Sequence, residues 1–198
     1  MKQTPKRNEL IRVGREIIVR QGFNAAGLSN ILAAADIPKG SFYYYFKSKE
    51  DFGLAIIENF AADYREKLEK TISNDRLSPL QRLDSYFALG LADMEACGCV
   101  DGCLIGNLAQ ELAAQNEEFC DRIHQIFSSW EEQFAACLEA AQTAGELSAD
   151  ADTIQLAQFI LAGWQGAILK AKVARSTEPM QAFVDTLFRH IFNKSIPS

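Results

Sequence analysis

In one segment after another, from Leu10 to Ile191, the apolar residues of this chain recur at spacings of three and four. No run alternates apolar with polar for the length of a strand. A chain patterned this way buries its apolar side chains as faces of helices. With only five Val and six Thr, it also lacks the β-branched residues that suit a pleated surface. Of the 198 residues 48 % are apolar, enough to fill the core of one large or two small domains, so the expected fold class is all-α. The same composition excludes a disordered chain or a disulfide-stapled mini-fold.

Leu10, Ile11, Gly14, Ile17 and Ile18 share one face of a first helix that Gly22 ends in the manner of a C′ glycine. A short second helix, from Gly27 or Ser29 to Ala35, buries Leu28, Ile31, Leu32 and Ala35 before Asp36-Ile37-Pro38 breaks it. In the third, Lys39 to Phe46, the side chains of Phe42 and Phe46 point inwards one turn apart. Gly40, Ser41 and Tyr44 face away, with Tyr43 and Tyr45 on the flanks. Two short helices around a tight turn, the second displaying small and hydroxyl-bearing residues between lysines, make a helix-turn-helix.

Ser48, with Asp51 three residues on, opens a fourth helix that runs towards Ser73, and Ser78-Pro79 opens a fifth bearing Leu80, Leu83, Phe87, Leu91 and Met94. After the glycine-rich stretch Cys97 to Cys103 come a short helix, Leu104 to Ala114, and a long one from Asn116 to Gly145. The last two helices are expected over Asp152–Arg175 and Pro179–Asn193. Ile154, Ala157, Leu161, Trp164, Ile168 and Ala171 are spaced alternately by three and four, as in an intimate helix–helix seam. Met180, Phe183, Val184, Leu187, Phe188 and Ile191 give the final helix a wide apolar face. This pair forms core alone, or core and a dimer surface together.

Residues 1–51 hold nine Lys/Arg against five Asp/Glu, a net of +4; the remainder hold eleven against twenty-one, a net of −10. A basic head on an acidic body is the pattern of a nucleic-acid binder that touches phosphate with one small part. The N-terminal residues Met1 to Arg7 are not followed by the roughly 7–15 apolar residues of a signal peptide. The near-apolar run Phe159 to Leu169, interrupted by Gln165, falls short of the roughly 18 residues of a membrane span and is expected to be a buried helix. A cytoplasmic protein without a membrane partner is expected. No Ser/Cys–His–acid set, phosphate-cradling glycine loop or His-Glu-x2-His helix is present, so catalysis is not expected.

Gly22-Phe23, Leu28-Ser29-Asn30-Ile31 and the run from Pro38-Lys39-Gly40-Ser41 through Phe46-Lys47-Ser48-Lys49-Glu50 closely resemble the DNA-binding head of the TetR (tetracycline-repressor) family. The resemblance implies a three-helix DNA-binding domain over residues 1–50 and a six-helix ligand-binding and dimerisation domain over 51–198. It implies a repressor, homodimeric through its two C-terminal helices, that leaves a palindromic double-stranded DNA operator when an inducer acts, with no cofactor. By position, Lys39 and Gly40 match the base-reading start of the recognition helix. Ser41, Tyr43, Tyr44 and Tyr45 match contacts to phosphates or base edges, Tyr45 standing where the family often has His. Ser29 and Asn30 match the backbone-facing start of the supporting helix, and Lys47 and Lys49 the phosphate-holding end. The residue types suit these roles: glycine admits close approach, lysines release counterions, and phenol hydroxyls bond phosphate without charge.

Cys97, Cys99 and Cys103 form a cluster. Three thiolates could hold a soft metal, but Cys-x2-Cys pairs and a fourth ligand are missing, and His124 and His190 are distant in sequence. The cysteines could equally be small buried hydrophobes. Cys103 falls at the start of the helix from Leu104, where unpaired N–H groups stabilise a thiolate, whereas Cys120 and Cys137 lie inside a long helix. Gly102-Cys103-Leu104-Ile105-Gly106-Asn107-Leu108, with Gln165-Gly166 through Lys172 and Arg175-Ser176-x2-Pro179, is similar to the branch of the family that senses reactive electrophiles. That similarity implies Cys103 as the sensing thiol and Lys172 as its basic neighbour, although Lys172 is also placed to complement its helix dipole. Cys97 and Cys99 are additions, which leaves open a disulfide with one of them as resolving thiol. Release by a reversibly bound hydrophobic ligand, or by a metal on thiolates, stands as the alternative.

Overall fold

The computed structural model describes residues 4–192, and among them every regular element is helical. Thr4 caps α1 (Pro5–Gln21), its Oγ1 accepting the Arg7 N–H at 3.3 Å, and Gly22 ends it at φ +83° with its N–H returning to the Ile18 carbonyl. After α2 (Leu28–Ala34), Pro38 leads into a single 3-10 turn, Lys39–Ser41, that continues as the one-turn α3 (Phe42–Tyr45). Ser48 Oγ accepts the Asp51 N–H at 3.1 Å at the start of α4 (Lys49–Lys70). The Asp51 carboxylate reaches back to the Lys47 N–H, at 2.8 Å, one residue beyond the usual reciprocal bond.

The remaining helices are α5 (Pro79–Ala96), α6 (Leu104–Leu112), α7 (Glu117–Thr143), α8 (Thr153–Ala174) and α9 (Glu178–Thr186). Ser78 and Gln81 cap α5 reciprocally, Asn116 Oδ1 accepts the Phe119 N–H of α7, and Asp152 Oδ1 accepts the N–H groups of Ile154 and Gln155. A π turn, Leu187–Ile191, prolongs α9; the expected end at Asn193 lies outside the described residues, as do Met1 to Gln3. No helix among the described residues is long and apolar enough to cross a membrane.

Two compact units result. The first takes the residues up to Asp63 together with Cys103–Ile123; the second takes Tyr64–Gly102 and the residues from His124 on, so compactness groups α6 and the start of α7 with α1 to α3. In the first unit Phe42, Phe46 and Phe52 form a buried triad with ring centroids 4.9–5.7 Å apart. Where α1 crosses α4, a Cβ on Gly14 would stand 2.3 Å from the Phe52 ring. In the second unit Tyr64 stacks on Trp130 at 4.1 Å and its hydroxyl bonds that of buried Tyr86. Tyr86, Phe87, Phe134 and Trp164 meet there mostly edge to face.

The apolar column on α8 is not an outward seam. Ala157, Leu161, Trp164 and Ala171 are buried within their own unit, Trp164 against Phe87 and so close to Gly90 that a Cβ there would sit 2.6 Å from the indole. Ile154 is 61 % exposed and Ile168 half-buried. Nor is the run Phe159 to Leu169 wholly buried: Phe159, 54 % exposed, Ala162 and Leu169 lie on the opposite face, which exposed Val173 continues beyond the run. Since α8 is apolar on two faces, α5 and α9 close over the one that carries the indole. Leu187, on the wide face of the final helix, is likewise core, at 1 % exposed.

Gly14→Ala forces the Phe52 ring to move and is expected to lower the unfolding free energy by about 1–3 kcal/mol in urea titrations. An unchanged midpoint would show that α1 and α4 do not need the bare backbone there.

Candidate nucleic-acid interface and thiol site

The α3 segment is too short to hold itself as a helix, so its orientation is set by Phe42 and Phe46 in the core. With those two rings inside, Tyr43 and Tyr44 stand out at 71 % and 78 % exposed, and Tyr45 is half-buried with its ring edge-on to Tyr44. Lys39, Gly40 and Lys47 are exposed beside them, Ser41 is half-buried, and Ser29 and Asn30 are exposed on α2. The ten residues expected to face DNA are thus all exposed or half-buried. At Gly40 an added Cβ would meet nothing within 4 Å, and φ is not positive, so neither packing nor backbone geometry asks for glycine there.

The cations of this head divide. Arg12 is taken by Glu9 and Glu16 on α1, which holds the Glu9 carboxyl below its usual range through the Arg12 hydrogen bond, and Arg15 by Asp63. Among the described residues, Lys39 and Lys47 have no carboxylate partner. Lys49 donates to the Asn24 carbonyl at 3.3 Å with its ammonium 4.8 Å from the Phe23 ring centroid, so it braces the turn before α2 as well as facing solvent. Arg7, which the sequence did not single out, lies over the Phe46 ring at 4.8 Å.

Cys103 is the N-cap of α6, half-buried, with its Sγ accepting the Gly106 N–H at 3.5 Å. Cys97 is half-buried and its thiol donates to the Met94 carbonyl; Cys99 is buried, at φ +56°. All five cysteines, half-buried Cys120 included, are thiols rather than disulfides. Among the described residues no three His, Cys, Asp or Glu side chains gather to hold a metal. Lys172 donates to the Asp101 carbonyl at 3.2 Å, two residues before Cys103 in sequence, although Cys103 itself belongs to the other unit. Cys137 is buried, its thiol donates to the Pro79 carbonyl at 3.3 Å, and burial pushes its pKa up to about 11.

A basic helix-turn-helix presenting an exposed ridge of lysine, glycine and tyrosine, followed by a helical body, defines a DNA-binding regulator. Residues 10–56 match the bacterial regulatory proteins of the tetR family, and residues 79–187 match the tetracyclin repressor-like C-terminal domain. The transcriptional regulator AcuR of Cereibacter sphaeroides is 38 % identical over 186 residues, 94 % of this chain and 85 % of AcuR. The HTH-type transcriptional repressor DhaR of Mycobacterium sp. (strain GP1) is 34 % identical over 188 residues, 95 % and 93 % of the two chains. A crystal structure of E. coli NemR in its reduced form superposes with a TM-score of 0.86 at 30 % identity, covering 98 % of this chain and all of that one. The chain therefore belongs to the TetR family, and it is a DNA-binding transcriptional regulator of the repressor type, not an enzyme.

Besides Arg7, two features were not anticipated from the sequence, Glu111 and the outward face of α8. Glu111 accepts the N–H groups of Phe23 and Asn24, both at 2.7 Å, and backbone partners 88 and 87 residues away leave no pattern in a sequence. The α8 face was visible as apolar residues but not as the face left uncovered.

With a pKa of about 11, Cys137 is thiolate in about one molecule in a thousand at pH 8. Native protein treated with N-ethylmaleimide at that pH should therefore leave Cys137 unmodified in peptide mapping, and unfolded protein should not. Rapid labelling of Cys137 in the folded protein would contradict its burial.

Proposed function

We propose that the chain is a homodimeric repressor that grips a palindromic operator through residues 1–50 of two copies. Residues 51–198 pair the copies and receive the inducer, and the operator is released when an electrophile or oxidant reacts with Cys103. As a bacterial DNA-binding regulator it works in the cytoplasm, where the chromosome is. Lys39 and Gly40 read bases; Ser41, Tyr43, Tyr44 and Tyr45 contact phosphates or base edges. Ser29, Asn30, Lys47 and Lys49 hold the phosphate backbone.

The observation that carries the inducer reading is the Cys103 sulfur, placed where a helix offers N–H groups without intrahelical partners and accepting one of them. Such a sulfur gains stability as a thiolate. A thiolate adds to the β-carbon of an activated alkene, forming one S–C bond as the C=C π bond breaks; the α-carbon then takes up a proton from water, balancing the one the thiol lost. The adduct is too large for a half-buried cap and drives α6 to a new position. NemR, one of the similar proteins, is described in a reduced form, which accords with thiol chemistry in this group. Lys172 tunes the loop that leads to the thiol, and Cys97 or Cys99 is the candidate resolving partner for oxidants.

Dimerisation is assigned to α8 and α9. Phe159, Ala162, Gly166, Leu169 and Val173 form one stripe along the outer face of α8. Gly166 in mid-helix costs roughly 1 kcal/mol relative to alanine, and a Cβ there would meet nothing within 4 Å of its own chain. A second α8 crossing at this point gives the glycine its reason. Leu169→Glu should yield a folded monomer by sedimentation with weakened operator affinity, whereas Leu187→Glu, which buries a charge, should unfold the chain. A Leu169→Glu protein that stays dimeric at micromolar concentration would place the interface elsewhere.

The test of release uses the DNA upstream of the chain's own gene in a gel shift with N-ethylmaleimide. Wild type should lose the operator, and Cys103→Ser, matched for affinity before treatment, should keep it. Equal release from both proteins would move the sensing role to Cys97 or Cys99.

A further inference from the structure

The end of α1 and the turn after it expose backbone groups that no helix satisfies: late carbonyls such as that of Val19, and the N–H groups of Phe23 and Asn24. Side chains one turn apart on α6 take both kinds. Asn107 Nδ2 donates to the Val19 carbonyl at 3.2 Å, and the two oxygens of Glu111 accept the Phe23 and Asn24 N–H groups at 2.7 Å each. Gln115 adds a contact to the Asn24 side chain at 3.4 Å. The fit is close, since a Cβ on Gly22 would stand 2.9 Å from a Glu111 oxygen. All these residues belong to one compact unit.

The same turn positions the DNA-reading elements. Phe23 is buried against Phe119, Lys49 braces the Asn24 carbonyl, and four residues after Asn24 the chain enters α2. Two charge-assisted bonds to adjacent amides are stronger and more directional than a packing contact, so a shift of Glu111 pulls the turn with it. Cys103 caps the other end of the same nine-residue helix, about 12 Å along its axis. A rigid helix of that length moves as a body.

We propose that Glu111 is the positioning residue through which the place of α6 sets the place of the α1–α2 turn, and so couples the body's inducible state to DNA binding. The inference rests on the reading that α6 carries the sensing thiol. It predicts that loss of the carboxylate separates two properties that travel together in wild type: operator binding persists, and its response to thiol modification disappears.

The experiment measures operator affinity by fluorescence anisotropy for the full-length protein before and after N-ethylmaleimide. Wild type and the surface control Glu118→Ala should lose affinity by about tenfold or more on treatment. Glu111→Ala, and to a smaller degree Glu111→Gln, should bind untreated operator within a few-fold of wild type and lose less than about twofold on treatment. A Glu111→Ala protein that is weaker in both forms with the wild-type ratio kept has lost only structure, and overturns the proposal. Amide exchange on wild-type protein gives a second measure that needs no variant. The Phe23 and Asn24 amides should be protected before treatment and stay protected in the released form, because the bonds that carry the shift hold. Exchange about tenfold faster or more at these two amides in released protein would show that the bonds break rather than pull, and overturns the proposal. Release that persists in Cys103→Ser would count against Cys103 as the sensor, while exchange at Phe23 and Asn24 in that released protein still decides the role of Glu111.

Discussion

The DNA-facing surface depends on the contact between the Phe52 ring and the bare backbone of Gly14. It lets α1 and α4 approach closely enough to enclose an aromatic triad, and the triad then fixes a recognition segment that has one α turn of its own. Burial of Phe42 and Phe46 supplies roughly 1.5–3 kcal/mol each, far more than the intrinsic preference of four residues for a helix. Because successive residues turn by about 100°, placing those two rings inside puts Tyr43 and Tyr44 outside without further design. Arg7 covers the Phe46 ring from the side of the N-terminus. The chemistry offered to DNA is thus a consequence of what is packed behind it.

The helix-turn-helix was legible because its determinants are local. The i, i+4 aromatic pair, the glycine at residue 22 and the proline at residue 38 act within a few residues of themselves, and the structure puts each in the expected role. Cys103 as a cap was legible for the same reason, from the glycine before it and the apolar helix after it. The two faces of α8 were not. Trp164 and Ala157 face inwards, and Phe159 and Leu169 outwards, only because α5 and α9 occupy one side, and a periodicity cannot say which of two apolar columns its neighbours will choose. Glu111 was hidden for another reason: its partners are main-chain amides, which every residue but proline has.

The cysteines show how one residue type takes separate roles by position. Cys137 is a small hydrophobe whose thiol is held neutral by burial, and Cys99 is a buried loop residue in a left-handed conformation. Cys97 ends α5, whereas Cys103 is the one of the five that caps a helix at its start, its sulfur accepting a backbone N–H there. Reactivity in such a set follows from which sulfur is offered hydrogen-bond donors and solvent together. The proposed coupling of that sulfur to DNA needs no long path: α6 carries the cap at one end and the bonds to the α1–α2 turn at the other.

The most direct test of this account correlates occupancy with release. Operator-bound protein is titrated with N-ethylmaleimide below one equivalent, and each sample is divided between peptide mapping of all five cysteines and measurement of free operator. The account predicts that the freed fraction rises with Cys103 modification at every dose, whatever the labelling of the other four. Operator release that runs ahead of Cys103 modification and follows another cysteine would contradict it.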